Sequence, residues 1–167
     1  MKATYSHTFN CDAETFWNKI FLDPAYNKAL YLEGLKFPEY ESLEERDTGN
    51  TVVRRVRVVP KQDAPAAIQK LAGGRVSYTE EGTFDKAAKR YRFRVVTATM
   101  SDKIHTSGEL RVEPAGDKKC RRIIDMTYEV KIFGVGGMVE GFISKSTSES
   151  YDAAAAFTNK WIADKGL

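Results

Sequence analysis

Between Met138 and Asp164 the side chains Val139, Phe142, Ile143, Ser146, Ser150, Ala153, Ala154, Phe157 and Trp161 recur at helical spacing. At about 100° per residue they keep within roughly a third of a helix circumference, the width of a core-facing stripe. A helix over these residues runs roughly 40 Å at 1.5 Å per residue, enough to cross a whole sheet. The stripe is bulky at its ends and recedes in the middle, where Ser146, Ser150, Ala153 and Ala154 stand. A filled core sets large aliphatic groups at such central positions. Either the facing sheet supplies the missing bulk, or a cavity lies between sheet and helix.

The rest of the chain supplies the sheet. "ATYSHTF" alternates Ala3, Tyr5, His7 and Phe9 against polar neighbours, the period of a half-buried strand. Asp12 caps a helix carrying Phe16, Trp17, Ile20 and Phe21, which Asp23-Pro24 stops, and a second short helix is expected from Ala25 to Tyr31. Six strand patterns follow at about 36–46, 50–59, 75–84, 90–99, 104–114 and 121–132, separated by turn residues and therefore antiparallel. Between the second and third of these, "PKQDAPAAIQKLAGG" breaks the alternation. Pro65 opens a short helix, Ile68 and Leu71 share one side, and Gly73-Gly74 ends it, which reads as a helical lid on a hairpin. With no repeat or linker-like tract, the 167 residues are expected to form one domain.

The glycines before the long helix, Gly134, Gly136 and Gly137, invite a nucleotide-loop reading that the residues do not support. A dinucleotide loop requires a third glycine where Val139 stands, and a strand after the helix. A phosphate loop requires Gly-Lys-Ser/Thr where Met138 and Val139 stand. The glycines instead let the chain turn sharply from the last strand into the helix. Anion binding at the helix start is the lesser alternative.

Other classes are narrowed by composition. A net charge of +3 demands no polyanionic partner, and no run approaches the roughly 18 apolar residues of a membrane span, so a cytoplasmic location is expected. Cys11 and Cys120 have neither disulfide-framework nor zinc-cluster spacing and read as buried small hydrophobes. No metal and no cofactor is expected.

Alternation places three ionisable groups on inward faces. Arg54 is in phase with Val52, Val56 and Val58, Glu80 with Tyr78 and Phe84, and His7 with Tyr5 and Phe9. Arg54 and Glu80 on neighbouring strands suggest an ion pair, unless a bulge turns one of them out to solvent. His7 reads as a hydrogen-bonded core histidine before it reads as a catalyst. The remaining inward positions are bulky and mostly aromatic: Tyr91, Phe93 and Tyr128, with Met126 beside them.

The order of elements, a strand, two short helices ending near "LDPAYNKAL", six more strands and "VGGMVEGFI" opening a long helix, resembles the START-like superfamily. This is also called the SRPBCC, helix-grip or birch-pollen-allergen fold, and the "PAAIQKLAGG" insertion is most similar to an uncharacterised bacterial branch of it. The resemblance implies an α+β architecture in which a seven-stranded curved antiparallel sheet wraps a long C-terminal helix around an elongated cavity. That cavity holds lipids, sterols, polyketides or other apolar molecules in carriers, sensors and cyclase-type enzymes.

The expected function is non-catalytic binding, as carrier or sensor, of a lipid-like or other apolar or amphipathic molecule. Arg54 and Glu80 orient its polar end, and Tyr78, Tyr91, Phe93, Met126, Tyr128, Phe142, Ser146 and Ser150 contact its body. The alternative is a polyketide cyclase/aromatase-like or hydratase-like enzyme in which His7, Glu80 or a tyrosine moves protons. No G-x-S-x-G or H-E-x-x-H signature supports it, and the other histidine, His105, points outward. A third reading is transient contact with an anionic membrane through Arg90, Arg92 and Arg94, with Lys118, Lys119, Arg121 and Arg122 at a nearby turn. Nucleic acid is not expected, since no aromatic platform accompanies these charges. Nothing in the sequence fixes the oligomeric state.

Overall fold

The computed structural model describes residues 1–167. Strand β1 (Lys2–Phe9) leads into helix α1 (Ala13–Phe16), which widens into a π-helical turn over Trp17–Phe21. Helix α2 (Pro24–Ala29) likewise widens over Leu30–Gly34. Strands β2 (Glu39–Asp47) and β3 (Thr51–Val59) follow, then helix α3 (Ala66–Leu71). Strands β4 (Tyr78–Asp85), β5 (Arg90–Thr97), β6 (Ile104–Pro114) and β7 (Cys120–Val130) complete one sheet, and α4 (Gly136–Lys165) closes the fold. The six later strands lie within three residues of the limits that alternation suggests.

All seven strands are antiparallel, in the order β1-β7-β6-β5-β4-β3-β2, so the first strand pairs with the last. The curved sheet and its long helix are the helix-grip architecture expected above. The expected Asp12 cap holds, accepting from Thr15 N at 2.8 Å, while Asp23, expected only to stop the first helix, also caps α2 by accepting from Ala25 N at 2.9 Å. No helix is long and apolar enough to cross a membrane.

The glycines before α4 act mechanically. Gly134 has φ +77°, and a Cβ on Gly136 would lie 2.7 Å from the Val130 carbonyl oxygen, so the turn from β7 into α4 is too close for a side chain.

The buried face of α4 differs from the straight stripe. Ala154 is buried as expected, but Ala153 is exposed, Phe157 and Trp161 are half-buried, and Ala155, Thr158 and Ile162, outside the stripe, fill the core instead. The line from Ser150 through Ala154 and Thr158 to Ile162 steps by four residues, which turns it about 40° per step. It rotates because the partner changes along the helix. Tyr26 of α2 reaches Thr158, with the two hydroxyl oxygens 2.6 Å apart, and Thr158 donates to the Ala154 carbonyl at 2.6 Å. Thr158 has one proton to give, so Tyr26 is the donor to it. Further along, Ile162 joins Phe9, Cys11 and Cys120 in the main core.

Candidate functional site

A cavity of about 320 Å³ lies between the inner face of the sheet, α2 and α4. That is about twice the roughly 150 Å³ that suffices for one benzene, and within the usual range for small-molecule sites. Small side chains make the room: Ser146, Thr147 and Ser150 of α4 form one wall where larger groups would have filled it. Helix α3 covers one end. Ile68 packs in a cluster with Ile104 and Val139, and Leu71 and Met100 add to the same cover. Gln69 ties α3 down by donating to the Ala64 carbonyl at 2.7 Å, and Thr99 donates to the Ala72 carbonyl at 3.1 Å.

Of the residues expected to meet a guest, Arg54, Tyr78, Glu80, Tyr91, Phe93, Met126, Phe142, Ser146 and Ser150 all line the cavity. Tyr128 does not. It faces inward on β7, but Tyr5 covers it: the two hydroxyl oxygens are 3.0 Å apart, and Tyr5 also donates to the Ser144 carbonyl at 3.2 Å. His7 is not on the wall either, because it stands behind Arg122.

The expected ion pair between Arg54 and Glu80 is absent. Strands β3 and β4 are neighbours, but the register sets Arg54 opposite Gly82 and Glu80 opposite Val56. The bare backbone of Gly82 is crossed by Tyr91, close enough that an added Cβ would meet its hydroxyl at 2.2 Å. The Tyr91 hydroxyl then donates to Glu80 Oε1 at 2.7 Å. Arg54, only 4% exposed, turns toward α2 instead. It donates to Asn27 Oδ1 at 3.2 Å and to the Phe21 carbonyl at 3.4 Å, and its guanidinium lies 4.7 Å from the Phe21 ring centroid.

Asn27 makes this possible. Its amide nitrogen donates to the carbonyls of Phe21 and Asp23, both at 2.9 Å, which aims its oxygen at Arg54.

Electrostatics follow from burial. Burial works against the Arg54 charge, but attraction to Tyr91 and Glu80 outweighs it and holds the guanidinium above its ordinary pKa. Burial, then the Glu80 charge, pushes the hydroxyls of Tyr31, Tyr78, Tyr91 and Tyr151 upward, so these groups stay neutral donors around one carboxylate.

The basic residues of the outer face are largely occupied. Arg92 pairs with Glu109 at 2.7 Å, Arg90 shares that carboxylate, and Arg94 pairs with Glu81 at 2.7 Å. Arg121 lies 3.5 Å from Glu113. Arg122 does not belong with Lys118, Lys119 and Arg121 at the turn. It is 6% exposed and lines the cavity, since β7 points alternate residues inward and Arg122 is in phase with Ile124, Met126 and Tyr128. That phase was readable from the sequence, but the run of basic neighbours concealed it. Asn27 and Tyr26 were not readable, because α2 has no periodic signal long enough to show which residues it buries.

The fold is of the START-like, helix-grip type, with a cavity between sheet and long helix. Residues 4–162 match a family of proteins of unknown function, DUF2505, and the chain belongs to that family. No curated protein matches the sequence. Among solved structures, a START superfamily protein from Mycobacterium smegmatis superposes with a TM-score of 0.64 at 13% identity, covering 96% of this chain and 98% of that one. The Zhui aromatase/cyclase from Streptomyces sp. R1128 gives 0.67 at 14% identity, covering 97% and 95%. Norcoclaurine synthase from Thalictrum flavum gives 0.65 at 18% identity, covering 94% and 85%. At these identities the likeness is one of fold.

Proposed function

We propose that this protein binds an amphipathic small molecule in the cavity between sheet and α4 and holds it unchanged, as a carrier or sensor. The observation that carries the reading is the receding wall of Ser146 and Ser150 opposite a concave sheet, with a volume of about 320 Å³ left between them. Of the 37 lining residues 25 are hydrophobic, so most of the guest is held by apolar contact and a few polar groups orient it.

Native mass spectrometry of protein purified from the cells that make it tests this, with an added non-covalent mass as the expected result. Ser150→Leu fills the wall, so it is expected to abolish that mass and to raise the melting temperature of the empty protein. A protein without bound mass, whose melting temperature also ignores a broad panel of lipids and aromatics, overturns the reading.

A second reading is a cyclase- or hydratase-like enzyme in the same cavity. It is favoured by the Glu80 carboxylate and Tyr91 hydroxyl, 2.7 Å apart on the cavity wall, an arrangement able to accept and return a proton. Solved neighbours named as an aromatase/cyclase and a synthase share this architecture. Once a ligand is known, conversion that ceases in Glu80→Gln while binding persists promotes this reading over simple binding. Binding without conversion by the unaltered protein removes it.

A further inference from the structure

Arg122 has less protein bonding than its burial requires. Its guanidinium lies 5.2 Å from the ring centroids of both Phe9 and Tyr151. Nη2 donates to His7 Nδ1 at 3.1 Å and to the Tyr151 carbonyl at 3.4 Å, whereas Nε is buried with no acceptor. A guanidinium offers only donors, so His7 Nδ1 must accept, which puts the imidazole proton on Nε2. His7 Nε2 in turn donates to Asp152 Oδ1 at 2.8 Å. The nearest carboxylate on this side is therefore one imidazole away from Arg122, and it belongs to a side chain 71% exposed to solvent.

The cavity as a whole carries the same imbalance. Its charged lining residues are Arg54, Arg122 and Glu80: two guanidiniums against one carboxylate. Arg54 has Asn27 and the Phe21 carbonyl as partners, and Glu80 has Tyr91. Arg122 alone keeps a buried donor unused, and a buried charge without a counterion is costly. Burial lowers its pKa despite the opposing pull of Tyr151, Tyr26 and Asp152, which fits a site that lacks an anion.

Building on the cavity-binding reading, we infer that the guest is an organic acid, with its carboxylate at Arg122 and its apolar body along the wall of α4. A guanidinium recognises a carboxylate by paired, charge-assisted hydrogen bonds, and the predominantly apolar lining suits the remainder of such a molecule better than an inorganic anion. His7 and Asp152 are positioning residues, fixing the guanidinium from behind.

The test separates the cavity from the charge. The neutral dye N-phenyl-1-naphthylamine reports occupation of the cavity by its fluorescence. Displacement of the dye is then compared within two matched pairs at neutral pH: dodecanoic acid against 1-dodecanol, and 2-naphthoic acid against 2-naphthalenemethanol. The acid of at least one pair is expected to displace the dye about tenfold or more better than its alcohol, the scale of one charge-assisted hydrogen bond.

That preference is expected to vanish in Arg122→Met and to persist in Arg54→Met. Failure of the dye to bind overturns the cavity reading and this inference with it. Dye binding with no advantage for either acid overturns this inference and leaves the cavity reading standing, a comparison that needs no variant. An acid preference that survives in folded Arg122→Met, or that disappears only in Arg54→Met, overturns the assignment to Arg122.

Discussion

Arg54 and Glu80 face the same cavity yet hold each other only through space, each with its own neutral partner. Removing one charge therefore leaves the other in a low-dielectric site without compensation. Arg54→Met is expected to cost about 2–3 kcal/mol in urea unfolding, the scale of a lost hydrogen bond to a charged group plus unsatisfied partners. The double variant Arg54→Met/Glu80→Gln is expected to recover part of that loss. A strictly additive double variant would show that the two charges are uncoupled. Alternation was enough to place both residues inward. It could not reveal that they miss each other, because register and the reach of Tyr91 across Gly82 are properties of three strands at once.

Glycines at inward strand positions decide how the aromatics lie. Besides Gly82, Gly108 of β6 makes room where an added Cβ would meet Met126 Sδ at 2.5 Å and Phe93 at 2.6 Å. Gly82→Ala and Gly108→Ala are each expected to destabilise by about 1–3 kcal/mol through overpacking. Gly141→Ala, inside α4 where an added Cβ meets open space, is expected to stabilise by about 0.5–1 kcal/mol. Equal effects at all three positions in thermal or urea unfolding would contradict the close contacts. Strands, the Asp12 cap and the Asp23-Pro24 stop followed directly from the residue pattern, since period-two alternation and these signals are local. The course of α4 did not, because its buried line bends toward Tyr26 and the Phe9 core, partners more than a hundred residues away in sequence.

The whole molecule carries two opposite sets of pKa shifts. On the outer faces and edges, Arg92 and then Arg90 hold Glu109 low, Arg75 holds Glu39 low, and Lys86 does the same for Asp47. Thr4 and then Arg111 lower Asp125. A depressed folded-state pKa contributes stability above the unfolded value, about pH 4, and loses it as pH falls through the folded value. Tyrosines 26, 31, 40, 78, 91, 128 and 151 are raised, first of all by burial. Their contribution is complete below about pH 10 and declines as pH rises toward the folded values.

Melting temperature is thus expected to be flat near neutrality and to fall at both extremes, and the acid limb is expected to shrink in high salt because its ion pairs are exposed. Tyrosinate absorbance should stay low until the protein unfolds in base. Early ionisation of most of the eight tyrosines in folded protein would contradict their burial.

The pairing of the first strand with the last also bears on how the chain is made. During synthesis β1 has no partner until residues 120–130 have appeared, and the aromatic concavity lies uncovered until the final thirty-residue helix leaves the ribosome. Five of the six strand pairings join neighbours in sequence and can form early, so the remote β1–β7 pairing and the docking of α4 are expected to be the slow steps. The concave face of the sheet thus stays an open bowl until every strand has been made, and the arriving helix is what roofs it.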